Sequence, residues 1–153
     1  MKKILAVLNV LLALAGLVYF IKLCNLSFKE LLLISPEVYL LGICFLLLYM
    51  ENNILRAILI VPVLYYSGTG IFLYSWNGID LLMQAMHIVL ILNAVYLAIG
   101  LILGFHFISF ILGVVLGSGL ILFFRFQQIG FFEKNKDLTE KFLPKRISKV
   151  YLR

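Results

Sequence analysis

Long apolar runs separated by short polar breaks make up most of the chain. The first run extends from Ile4 to Ile21, and Lys22 ends it. A helix that spans a membrane needs about 20 consecutive, mainly apolar residues. The pattern therefore predicts a first spanning helix over residues 4–21, in which Asn9 is the one strongly polar position.

Two helix starts follow this first run. Ser27 and Glu30 have the spacing of a capping box, in which a serine caps the helix and a glutamate three residues later bonds back to it. This pattern predicts a short helix at the membrane interface. The segment Ser35-Pro36-Glu37 combines a serine cap, a proline in the first position and an acid in the first turn. It predicts the start of a second span over residues 36–50.

The third apolar run, residues 54–74, is irregular. Pro62 removes a backbone donor inside it, and a flexible, hydroxyl-rich patch follows, formed by Ser67, Gly68, Thr69 and Gly70. The patch predicts a helix break, either in a kinked span or in a re-entrant segment. Non-helical backbone at such depth is tolerated only where protein buries it or where it lines a watery cavity.

The last apolar stretch, residues 81–124, is too long for one span. Its 44 residues would form a helix of about 66 Å, more than twice the thickness of the hydrocarbon core. It therefore predicts two spans, over residues 81–103 and 107–124. The sequence thus predicts an all-α, polytopic transmembrane bundle of five spans in residues 1–126, with a basic tail in residues 127–153. The alternative is four spans with residues 54–74 re-entrant.

The distribution of basic residues predicts the orientation. Eight of the 13 lysines and arginines lie in residues 125–153, and basic residues are in excess on the cytoplasmic side of membrane proteins. Five spans would place ten basic residues on the side of the tail and three opposite, whereas four spans would give eleven and two. Both counts predict a cytoplasmic tail. The length of residues 54–74 favours five spans. The expected location is the cytoplasmic membrane of a bacterium or an archaeon.

Composition agrees with a lipid environment and limits the function classes. Hydrophobic residues make up 64% of the chain and charged residues 13%, against about 25% charged residues in soluble domains. The net charge of +6 is explained by the tail, so a nucleic-acid partner is not expected. Cys24 and Cys44 lack the spacing of a redox or zinc motif. His87 and His106 would differ in depth by about 20 Å, so no haem, metal or other cofactor is expected.

The strongest candidate for a polar site lies on the fourth predicted span. Asp80, Gln84 and His87 are spaced so that they share one face of a helix. Ionisable residues at membrane depth are costly and often functional, and a histidine can pass a proton at physiological pH. In the alternative interpretation, Asp80 caps the helix while Gln84 and His87 hydrogen-bond to neighbouring helices.

Two further sets of residues suggest contacts. Small residues spaced four apart allow helices to approach closely, within this bundle or with a partner; they are Gly100, Gly104, Gly113 and Gly117. Basic residues interleaved with apolar ones end the tail and predict contact with anionic lipid headgroups or with a cytoplasmic partner. They are Lys145, Arg146, Lys149 and Arg153.

The chain carries no phosphate-binding loop, zinc-protease motif or nucleophile elbow. We therefore expect a small, non-enzymatic subunit or assembly factor of a membrane complex, bound to another membrane protein or to further copies of itself. The first alternative is a small transporter or channel-like protein that uses the polar face of the fourth span. The second is a membrane enzyme acting on a lipid or quinone.

Overall fold

The apolar runs of the sequence form helices that pack along one another. The computed structural model describes residues 1–73 and 80–137, and every regular element in this part is a helix. The helices are α1 (Lys2–Leu17), continued by a π-helical segment (Val18–Leu23), α2 (Phe28–Ile34), α3 (Pro36–Tyr49), α4 (Asn53–Leu73), α5 (Asp80–Leu103) and α6 (Phe107–Lys134). The all-α prediction and the division of residues 81–124 between two helices are confirmed.

The two predicted helix starts use their polar side chains differently. At α2 the capping box is confirmed, because the backbone N–H of Glu30 donates to the Ser27 hydroxyl and that of Ser27 donates to the Glu30 carboxylate. At α3 the Ser35 hydroxyl does not cap the backbone. It donates instead to Glu37 Oε2 at 3.1 Å. The acid in the first turn of α3 is therefore held by the serine that precedes the helix.

Among the described residues, four helices are long and apolar enough to cross a membrane: α1 with its π-helical segment, α4, α5 and α6. The bent pair α2 and α3 would supply a fifth span, with an angle of 94° between the two helices. Because α3 has 14 residues, it is about 21 Å long against a hydrocarbon core of about 30 Å. The question of four or five spans therefore concerns α3, whereas residues 54–74 contain an ordinary helix of spanning length.

The predicted break at Ser67, Gly68, Thr69 and Gly70 is wrong, since α4 continues through all four residues. The hydroxyls of Ser67 and Thr69 donate to the carbonyls of Val63 and Tyr65, four residues earlier in the same helix. Such bonds satisfy a hydroxyl without interrupting the helix.

The last helix is longer than predicted. α6 continues to Lys134, well beyond the expected end at residue 124. Its extension buries Gln128 and Phe132, and Phe132 joins the main apolar cluster that also contains Leu31 of α2. Contact with α2 therefore accounts for the extra turns of helix in the segment predicted as tail.

The helices have two common ends, which we call the Tyr49 end and the α2 end. At the Tyr49 end, Lys2 of α1 lies over the Tyr49 ring, and Asn53 of α4 bonds to His106 between α5 and α6. At the α2 end, Gln128 of α6 donates to the carbonyl of Leu33 in α2. Helices α1, α3, α4 and α5 each extend between these ends, and α6 begins at the first and reaches the second.

Two of the four predicted packing glycines bring α4 and α6 together. A Cβ added to Gly113 would lie 2.3 Å from the Cβ of Ala57, and one added to Gly117 would lie 2.5 Å from the carbonyl oxygen of Ile58. Only glycine allows so close an approach of the two backbones. The other two lie elsewhere: an added Cβ at Gly100 meets no described atom within 4 Å, and at Gly104 it meets the His106 ring and the carbonyl of Gly100.

Candidate functional site: a carboxyl–imidazole pair inside the bundle

A buried acid and a buried histidine meet between α3 and α5. His87 Nε2 lies 3.2 Å from Glu37 Oε1, with His87 fully buried and Glu37 only 6% exposed. The second carboxylate oxygen of Glu37 accepts the Ser35 hydroxyl. When the pair holds a single proton, the contact is an ion pair if that proton lies on the imidazole and a neutral hydrogen bond if it lies on the carboxyl. The pair can therefore hold a proton at either partner.

The bend between α2 and α3 places Glu37 in this position. In the sequence, Glu37 is only a signal for the start of α3, because an acid in the first turn interacts favourably with the helix dipole. The 94° bend at Ser35 turns the start of α3 into the bundle, where Pro36, Glu37 and Val38 are all buried. The partner of His87 was therefore missed, because it depends on a tertiary bend that the local pattern does not reveal.

The imidazole of His87 also lies directly against the backbone of α4. A Cβ added to Gly70 would approach His87 Nε2 to 2.1 Å, so glycine at this position makes room for the ring. Gln84, one turn earlier on α5, donates from Nε2 to the Ile71 carbonyl at 3.0 Å. The predicted polar face of α5 thus meets the segment of α4 that contains the predicted patch.

The third member of that face, Asp80, is the first residue of α5. Its side chain lies outside the described part of the structure. The face is therefore established for Gln84 and His87 only, and the predicted file of three groups stays a prediction.

A second polar contact joins α5 to α1. The amides of Asn9 and Asn93 donate to each other's carbonyl oxygens at 3.0 and 2.7 Å, and both side chains are fully buried. Asn93 also donates to the Val89 carbonyl in its own helix. Polar pairs of this kind hold helices together where the surroundings are apolar. The sequence analysis singles out Asn9 as the strongly polar position of the first span, but it does not pair Asn9 with Asn93.

A third contact, formed by Gln128, lies beyond the predicted end of α6. Its Nε2 donates to the Leu33 carbonyl at 2.9 Å, and its Oε1 accepts the Tyr66 hydroxyl at 3.2 Å. One side chain therefore links α6 to α2 and α4. The sequence analysis missed it because residue 128 was assigned to the tail.

The remaining candidates of the sequence analysis are the basic residues of the tail and the second histidine. Lys145, Arg146, Lys149 and Arg153 lie outside the described residues. His106 bonds to Asn53 at the Tyr49 end, far from His87. Within residues 1–73 and 80–137, no three side chains of the metal-binding types come together as a metal site.

No protein-family model, curated protein or solved structure matches the chain. The fold and its interior therefore define the class: a helical bundle with four or five helices able to cross a membrane by length and composition. Its buried polar side chains bond between neighbouring helices.

Replacing Gly70 with alanine tests the packing of His87 on α4. The new methyl group would displace the imidazole, so we expect Gly70→Ala to destabilise the bundle by about 1–3 kcal/mol, the usual penalty for overpacking. Gly68→Ala is the matched control, because its Cβ meets no described atom within 4 Å. Unfolding in detergent, followed by circular dichroism, measures both. In a His87→Ala background the penalty of Gly70→Ala should vanish, and equal stability of the two single variants would contradict the packing.

Proposed function

We propose that the chain is a non-enzymatic, multi-pass membrane protein that acts as a small subunit or assembly factor of a membrane complex. The observation that supports this function is the use of the buried polar groups. Asn9, Asn93 and Gln128 bond across helix interfaces and stabilise the arrangement of the bundle. These buried polar groups therefore serve the packing of the helices, and contact with a partner protein is assigned to the outer surface.

The outer surface of α6 is the proposed contact with a partner. In an apolar stretch of α6 long enough to cross a membrane, only 11% of the residues are buried, against 44% in the corresponding stretch of α5. The contact with α4 uses the Gly113 and Gly117 side of the helix. Large apolar side chains cover other sides, with Val115, Leu122 and Phe123 each more than 60% exposed. A helix attached along one narrow stripe can present the rest of its surface to another membrane protein.

The proposed topology has five spans and a cytoplasmic tail. Although α3 is short, it extends from the α2 end to the Tyr49 end beside α1. Lys2, Lys3 and Arg56 then lie toward the Tyr49 end. Lys22 and Lys29 lie toward the α2 end, where α6 leads into the basic tail. The excess of positive charge at the α2 end supports a cytoplasmic location for that side.

The partner is tested by affinity purification in a mild detergent, with the tag after Arg153. We expect a second membrane protein in stoichiometric amount. Leu122→Gln combined with Phe123→Gln should remove it, because the two substitutions place amides on the exposed surface of α6. Leu11→Gln combined with Leu14→Gln alters an exposed surface of α1 instead and should leave the complex intact. Recovery of the chain alone, or loss of the partner with both double variants, would contradict the proposed contact.

Fusions at the C-terminus test the orientation. A reporter that is active only in the cytoplasm should be active after Arg153, because eight basic residues lie in the last 29 positions. A reporter that is active only after export should be inactive at the same site. The reverse pattern would overturn the cytoplasmic tail.

A second function, proton conduction by a small transporter or channel-like protein, is favoured by one observation: the buried pair of Glu37 and His87. Ionisable groups within a membrane-spanning bundle often mark proton pathways, and imidazole exchanges protons at physiological pH. The pair joins α3 to α5 and lies against Gly70 of α4. A change in its protonation would therefore affect three helices at once.

Proton flux into liposomes containing the purified protein tests this second function. A transporter should carry protons when a membrane potential is imposed, as reported by a pH-sensitive dye inside the liposomes. His87→Asn and Glu37→Gln keep hydrogen-bonding groups but remove a titratable one, so each should abolish the flux while the melting temperature is retained. His106→Asn is the matched control, since His106 lies at the opposite end. Absence of flux with the unaltered protein, or full flux with His87→Asn, would eliminate the transporter.

A further inference from the structure

We propose that the groove between α1 and α3 at the Tyr49 end binds one acyl chain of a phospholipid with an anionic headgroup. The groove has a volume of about 470 Å³. It is lined by Ala6, Val7, Val10 and Leu11 of α1 and by Phe45 and Tyr49 of α3, with Lys3 at its end. This site is separate from the Glu37–His87 pair.

The lining is apolar along its length and suits a hydrocarbon chain. Val7, Leu11 and Tyr49 are each more than half exposed, while Ala6 at the base of the groove is buried. The small side chain of Ala6 lies between larger neighbours and creates the depression. The rings of Phe45 and Tyr49 meet edge to face at 5.5 Å and form the wall on the side of α3.

The length of the groove matches one leaflet. From Lys3 to Leu11 the helix rises about 12 Å, close to the roughly 15 Å of hydrocarbon in half a bilayer. Because the groove begins at the Tyr49 end and follows α1 inward, an acyl chain in it would lie along the helix. A phospholipid placed in this way has its headgroup beside Lys3.

The charged residues at the Lys3 end of the groove determine which headgroup charge is favoured. Lys3 lines the groove, and Lys2 lies over the Tyr49 ring, with Nζ 4.8 Å from the ring centre. Glu51 is the acidic residue of the neighbouring turn, while Arg56 bonds to the Met50 carbonyl and so is held at the end of α3. Lys2 and Lys3 therefore outweigh the single negative charge of Glu51 at this end of the groove, and they favour a phosphate-bearing headgroup with a net negative charge.

Native mass spectrometry of the purified protein with equal amounts of phosphatidylglycerol and phosphatidylcholine tests the proposal. We expect preferential retention of one phosphatidylglycerol. The combined Lys2→Gln and Lys3→Gln variant should reduce the preference, by about fivefold for each lysine, since a basic residue near an anionic surface contributes about 1 kcal/mol. Lys29→Gln removes one positive charge near the α2 end and should leave the preference unchanged.

Filling the groove distinguishes lipid binding at this site from a general electrostatic attraction of anionic lipids to the two lysines. Val10→Trp should displace the bound lipid while both lysines remain. Val18→Trp is the matched control, because Val18 is half exposed and lies beyond the groove, in the π-helical segment that continues α1. Circular dichroism establishes that both variants fold. Equal retention of the two lipids, a preference unchanged in the lysine variant, or retention unchanged in Val10→Trp would each overturn the site.

Discussion

Polar side chains inside an apolar helical bundle must find partners within the protein, and α5 is the helix on which most of the described contacts converge. Asn93 bonds to α1, His87 to α3 and Gln84 to α4. In membrane proteins such a bond contributes only about 0.6 kcal/mol on average, whereas an unpaired polar group in an apolar medium costs several kcal/mol. The contacts therefore act mainly by making other arrangements of the helices unfavourable, since those arrangements would leave polar groups unpaired. A rotation of α5 would separate all three pairs together.

The same constraint explains how one site can suit both structure and proton chemistry. Glu37 and His87 satisfy each other when they share a proton and are overall neutral, and a neutral pair avoids part of the desolvation penalty of two buried charges. A net charge on the pair would have to be stabilised by nearby dipoles. The amino terminus of α3, one residue before Glu37, offers such dipoles to a carboxylate. Packing of the imidazole on Gly70 then makes the position of α4 depend on the state of the pair.

The parts of the fold predicted correctly from the sequence depend on neighbouring residues. Apolar runs indicated the helices, and the Ser27–Glu30 spacing gave the cap of α2, because both effects act within a few turns. The parts that failed depend on distant contacts. The patch at residues 67–70 suggested a break, but its hydroxyls bond within α4. Gln84 and His87 were identified as a polar face, whereas Glu37 became their neighbour only through the bend at Ser35. Gln128 was missed because α2 supports the end of α6.

The short length of α3 connects these features. A helix of about 21 Å is shorter than a hydrocarbon core of about 30 Å, and the 94° bend at Ser35 separates α3 from α2. The bend buries Glu37 among the helices, with only 6% of the residue exposed. Leu31 and Ile34 of α2 belong to the apolar cluster that also includes Val38 and Met86. The carboxyl–imidazole pair therefore lies beside an apolar cluster to which α2 contributes. The Gln128 bond to Leu33 joins the end of α6 to α2, so a contact between distant parts of the chain supports the bend that places Glu37 in the interior.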